Sequence, residues 1–262
     1  MPDIDVERAG GVVTITLNRP DKKNAITADM FRGLRDLFLE VGDDPDARVL
    51  VITGAAGAFS SGADLTDAGA AGSIAGGRGS ALAWMRVVEQ AALMLHELPK
   101  PTIAKVNGVA AGASLNMALG CDLIVASEEA RFTEIFVKRG LVLDFGGHWL
   151  LPRLVGLHRA KELAFFGEIL SAKEAADMGL VNKVVPAGEL DATVDDWAAR
   201  LAALPPINLS IMKKALNRAF ETSMAASLEF EAVAQNVSFS SADTTEAMAA
   251  FAQKRDPEFR GE

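Results

Sequence analysis

The chain has 262 residues with one cysteine and three histidines, long enough to bury a core without disulfide or metal staples. Cys121 has no partner within the chain and no Cys/His cluster has zinc spacing, which excludes a disulfide scaffold and a structural zinc module and leads us to expect a reducing, cytoplasmic setting. A formal net charge of −9 with 50% apolar residues predicts a folded protein whose surface repels phosphate backbones and anionic lipid, so neither nucleic acid nor membrane is an expected partner. Residues 1–10 carry Asp3, Asp5 and Glu7 without an apolar stretch, and no run approaches the roughly 18 apolar residues of a membrane span.

In chain order, Val12 to Leu17 alternates as a half-buried strand and is broken at Asn18 to Asp21. Thr27 then suits an N-cap, with Phe31, Leu34, Phe38 and Val41 on one helical face and a stop at Gly42 to Pro45. Arg48 to Thr53 reads as a strand buried on both faces. Thr66 to Ser80 is a Gly/Ala/Ser tract with Ile74 as its one large apolar side chain, and is read as a lid or a disordered insertion. Ala81 to Leu98 has helical periodicity, Thr102 to Val106 is a strand, and a Gly/Ala-rich turn leads to a helix over Leu115 to Leu119 and a strand over Asp122 to Ala126. Ser171 to Glu174 is a capping box opening a helix that ends at Gly179, and Leu180 to Val185 is a last strand. From Leu190 to Arg255 every apolar pattern is helical, in about four helices with breaks at Pro205-Pro206 and Ser241 to Thr244. The layout is α/β, divided into a core over 1–189 and a helical region over 190–262 that is too small to bury itself and is expected to pack on the core and on neighbouring subunits.

Two segments carry chemistry. Ala58 to Asp64 and Asn107 to Ser114 each follow a strand and are built from glycine and small residues, which leaves backbone N–H groups free for an oxyanion and lets a ligand approach closely. N–H groups from two loops converging on one carbonyl oxygen would stabilise an enolate or a tetrahedral oxyanion.

Read together, NRP and NA within 18–25, FSSGADL (59–65), KPTIAKVNGVAAGASLNMALGCDLIVAS (100–127), ARF (130–132), GLV (140–142) and LPRLVG (151–156) resemble the enoyl-CoA hydratase/isomerase, or crotonase, family over nearly the whole chain. The resemblance implies a crotonase-like spiral of ββα units with a C-terminal α-helical trimerisation region, hence a homotrimer or dimer of trimers. It also implies an acyl-CoA thioester substrate, with coenzyme A arriving as part of that substrate and no separate cofactor. The oxyanion N–H groups then belong to Ala63 and Ala113, the second standing where relatives usually carry glycine. Coenzyme A would be met by Lys22, Lys23, Asn24, Ala25 and Ile26, by Ser61 to Asp64, and by a neighbouring subunit's Lys254 and Arg255.

The carboxylates depart from the hydratase pattern. Where that pattern has two glutamates holding a water, this chain has Asn116 and Phe136, expected as pocket residues that take no proton. Glu134 is two residues off register and is set aside as displaced by several ångströms. Asp144 matches a third family position used by some isomerases, and apolar neighbours would raise its pKa into the range of a base. A single carboxylate can carry a proton from one carbon to another, so the expected activity is a double-bond shift in an enoyl-CoA. Enoyl-CoA hydration and non-catalytic acyl-CoA binding remain as alternatives. His148, four residues on, is a candidate second acid or base; Asp144 is also a candidate N-cap of the helix after it; His96 and His158 read as structural. A hydrolase using Ser114 would need a histidine base for which no His-Asp pair is evident.

Overall fold

The computed structural model describes residues 3–67 and 78–262. A hairpin of β1 (Ile4–Ala9) and β2 (Val12–Leu17) turns on Gly10 and Gly11. β1 escapes sequence reading because it is an edge strand whose burial lies in Ile4 alone, leaving no alternation to detect. A 3-10 turn over Pro20–Lys22 leads to α1 (Ala28–Asp43), capped as expected by Thr27, whose Oγ1 accepts Met30 N–H at 3.2 Å. β3 (Val49–Gly54) is buried throughout. The expected lid falls mostly on residues 68–77, outside the described residues, and α2 (Arg78–His96) begins three residues before the predicted helix start.

There follow β4 (Thr102–Val106), β5 (Val109–Ala111), α3 (Ala113–Leu119), β6 (Leu123–Ser127) and β7 (Arg131–Thr133). After a 3-10 turn over Ile135–Arg139 come α4 (Gly147–Val155), α5 (Leu157–Phe166), β8 (Leu170–Ser171), α6 (Ala172–Asp177) and β9 (Lys183–Val185). The predicted capping box is present in both directions between Ser171 and Glu174. The tail holds four helices: α7 (Leu190–Ala202), α8 (Pro206–Asn217), α9 (Met224–Phe239) and α10 (Ala242–Gln253).

The main sheet runs β1-β2-β3-β4-β6-β9, antiparallel at β1-β2 and parallel elsewhere, and a small sheet runs β5-β7-β8. Successive side chains of β3 point to opposite faces. Leu50 and Ile52 join Phe31, Leu34 and Phe38 of α1 in one core layer, while Val49 and Val51 join Ile103, Val125 and, from α7, Leu190 and Val194 in the other. The first tail helix thus closes the second face of the core sheet. Beyond it, Phe220, Met224, Leu228, Val233, Phe239 and Phe251 are large apolar side chains left exposed.

Candidate active site

In a parallel sheet, ligands bind outside the carboxyl ends of the strands. β3 and β4 deliver the two glycine-rich loops to that edge, and parallel bridges zip the loops together. Ser60 N–H donates to Val109 O at 2.9 Å and Ala111 N–H to Ser60 O at 3.1 Å; Ile26 N–H donates to Gly62 O and Asp64 N–H to Ile26 O, both at 2.9 Å. Ala63 and Ala113 are thereby brought onto facing loops, so close that a Cβ built on Gly62 would lie 3.8 Å from Ala113 N. Neither the Ala63 nor the Ala113 N–H has an acceptor among the described residues. Two unengaged N–H groups side by side are what an oxyanion requires.

A network that sequence reading missed holds these loops. Arg19 Nη1 donates to Ala25 O at 2.6 Å and Asp64 Oδ2 at 3.0 Å, while Asn24 Oδ1 accepts Arg19 N–H at 2.9 Å and Asn24 Nδ2 reaches Ala55 O and Ala58 O. The Thr66 hydroxyl and Arg19 hold Asp64 below the usual carboxylate range. The Asp64 side chain is therefore engaged internally and fixes the Ala63 loop. Ser61 is tied by its N–H to Lys23 O at 2.9 Å and by its hydroxyl to Lys22 O at 3.2 Å, so exposed Lys22 and Lys23 and half-buried Ala25 border the same loop. Lys254 is an exposed left-handed cap on α10, and Arg255 pairs with Glu246.

One helical turn after Ala113, Asn116 is fully buried, and its Nδ2 donates to the backbone O of Asp144 at 2.9 Å and lies 3.5 Å from Glu134 Oε2. Phe136 is also buried, its ring against Gly112. Glu134 corrects the sequence reading: it is 1% exposed and stands at the centre of the cluster. Glu134 follows β7 two residues after buried Phe132 and so keeps the inward face of that strand, just before the 3-10 turn that carries buried Phe136. Burial raises Asp144 to about 7; burial and then the charge of Asp144 raise Glu134 to about 8.

Other expectations fail or hold for visible reasons. Asp144 caps no helix: Gly146 is the N-cap of α4, and Asp144 offers only its backbone O to Gly147 N–H, at 2.9 Å. His148 is exposed on the first turn of α4, and no hydrogen bond joins it to Asp144. His96 packs edge-on against Trp149 with ring centroids 5.0 Å apart, and His158 is exposed. Ser114 is fully buried, donates to Ser60 O at 2.6 Å and accepts Ala111 N–H at 3.0 Å, with no histidine beside it. Burial pushes the Cys121 thiol up to about 12, leaving it protonated at neutral pH. A cavity of about 810 Å³ between α2, α4 and α8 touches this region only at Phe145 and Gly146.

The profile of the family described as enoyl-CoA hydratase/isomerase matches residues 7–262. The 1,2-epoxyphenylacetyl-CoA isomerase of Escherichia coli K12 is 38% identical over 96% of this chain and 95% of its own, and the short-chain-enoyl-CoA hydratase of Clostridium acetobutylicum is 35% identical over 97% and 95%. The crystal structure of enoyl-CoA hydratase from Bacillus anthracis superposes with a TM-score of 0.92 at 31% identity, covering 99% of this chain and 100% of that one. The chain belongs to the enoyl-CoA hydratase/isomerase family and has the crotonase fold that the sequence resemblance implied.

Proposed function

We propose that this enzyme shifts the double bond of an enoyl-CoA thioester, with Asp144 as base and the N–H groups of Ala63 and Ala113 holding the enolate oxygen. The observation that carries this reading is the pairing of two free N–H groups with a half-buried carboxyl raised to about 7, at a site where Asn116 and Phe136 offer nothing that titrates. A 3-enoyl thioester bound there loses its α-proton to Asp144, the charge moves onto the thioester oxygen, and a proton returned at the γ carbon completes the shift. The resemblance to a relative named an isomerase supports it. Hydration of a 2-enoyl-CoA is the second reading, favoured by the buried Glu134, because two carboxyls can hold a water, and by the relatives named hydratases. Product analysis decides: a 2-enoyl-CoA from a 3-enoyl-CoA supports the shift, and a 3-hydroxyacyl-CoA as the main product overturns it.

Coenzyme A binding is assigned to Lys22 and Lys23 beside the Ser61 loop. Lys23 has φ +48, a conformation that asparagine tolerates, so Lys22→Gln with Lys23→Asn removes both charges at little backbone cost. Calorimetry should show coenzyme A affinity lowered by about tenfold or more, as expected for losing charge-assisted contacts at an exposed edge; unchanged affinity would move the phosphate site elsewhere.

The exposed apolar side chains of α8 to α10 support assembly as a trimer or a dimer of trimers. Sedimentation at micromolar concentration should give three or six copies, and a stable monomer would sink the assignment.

A further inference from the structure

One carboxyl at the centre of the site is unused by a mechanism that runs on Asp144 alone. Glu134 Oε2 shares the Asn116 amide with the backbone of Asp144, and Glu134 Oε1, Asp144 Oδ1 and Asn116 Oδ1 are all buried without a hydrogen-bond partner among the described residues. A buried polar atom left without a partner is unfavourable. Three of them, from three elements meeting at one place, form a cluster whose hydrogen-bonding capacity faces inward and is not used by the fold. The two carboxyls also sense one another, since the charge of Asp144 makes Glu134 harder to ionise. Such a pair settles with one proton between them, held by Glu134 while Asp144 is ionised, which is an acid and a base in one pocket.

We propose that Glu134 is the proton donor of the double-bond shift and Asp144 its acceptor, so that the proton added is not the proton removed. This rests on the reading of Asp144 as base. The Asp144 carboxylate takes the α-proton, breaking that C–H bond and forming an O–H bond. The electron pair spreads into a dienolate whose oxygen lies against the Ala63 and Ala113 N–H groups. The γ carbon then takes the proton of Glu134, breaking its O–H bond and forming a new C–H bond, and the double bond is left between the α and β carbons. Asp144 is now protonated and Glu134 ionised; transfer of one proton from Asp144 to Glu134, directly or by exchange with solvent, restores the pair. One C–H bond is broken and one made, with no oxidant or reductant.

The test is a single turnover, in ordinary water, of a 3-enoyl-CoA carrying deuterium at both α positions, with the γ carbon of the product read by mass spectrometry. Two carriers place protium at the γ carbon, whereas one carrier passes the abstracted deuterium across. Wild type should therefore transfer little label. Glu134→Gln, which keeps the size and the Asn116 contact, should slow turnover by about 10²-fold and raise label transfer as Asp144 takes both roles. Extensive transfer in wild type overturns the proposal and needs no variant, and a Glu134→Gln enzyme with unchanged rate and labelling overturns it equally. These results leave Asp144 as base. By contrast, a 3-hydroxyacyl-CoA product, no isomerisation at all, or full activity in Asp144→Asn removes the double-bond-shift reading and this inference with it.

Discussion

Asp144→Asn is expected to lower turnover of a 3-enoyl-CoA by about 10² to 10⁴, the range for losing a general base, while coenzyme A affinity stays close to wild type. Asparagine matches aspartate in size, and the backbone O of Asp144 that Asn116 binds at 2.9 Å is untouched, so the turn into α4 should persist. The wild-type rate should also report the carboxyl. Burial raises Asp144 to about 7 in the free enzyme, and a base works only when ionised, so kcat/KM should fall as pH is lowered through about 7 in a series between roughly pH 5 and 9. In the variant that acid limb should vanish along with most of the rate. A variant retaining full activity would take Asp144 out of the chemistry.

Gly62→Ala should disable the oxyanion site without touching any acid or base. Gly62 has φ +96, and a Cβ there would lie 2.7 Å from Ala111 O, a backbone atom that cannot swing aside. Relief requires the Ala63 loop to move away from the segment that carries Ala113, separating the two N–H groups. Losing one oxyanion donor costs about 10²- to 10³-fold in kcat, and that is the expected effect. Gly10→Ala is the control: its φ of +57 is also left-handed, but nothing lies within 4 Å of the added methyl. It should strain the backbone and spare the rate. If Gly62→Ala keeps its rate within about threefold while circular dichroism shows a native fold, the Ala63 N–H is not a catalytic donor.

Much of the molecule was legible from local pattern, because helix and strand periodicity, caps and breaks are short-range properties. The Thr27 cap, the Ser171/Glu174 capping box, the buried strand at β3 and the four helices of the tail all follow from neighbours a few residues apart. The family resemblance also singled out Asp144, as the one carboxylate at a matched position where Asn116 and Phe136 carry no proton, and its role is the one proposed above. What only the tertiary structure decided lies in long-range pairing. β5 and β8 are two or three residues long and exist through register with β7, too short for periodicity to register. The Ser60 to Ala110 bridge is what sets Ala63 against Ala113. The Arg19–Asp64 pair spans 45 positions. Glu134 was set aside because spacing along the chain was taken for distance in space. Its side chain is placed instead by the β5-β7 pairing, which carries it to Asn116, 18 residues earlier in sequence. Local spacing encodes which way a side chain leaves its own element, and only the packing of elements on one another determines which side chains then meet.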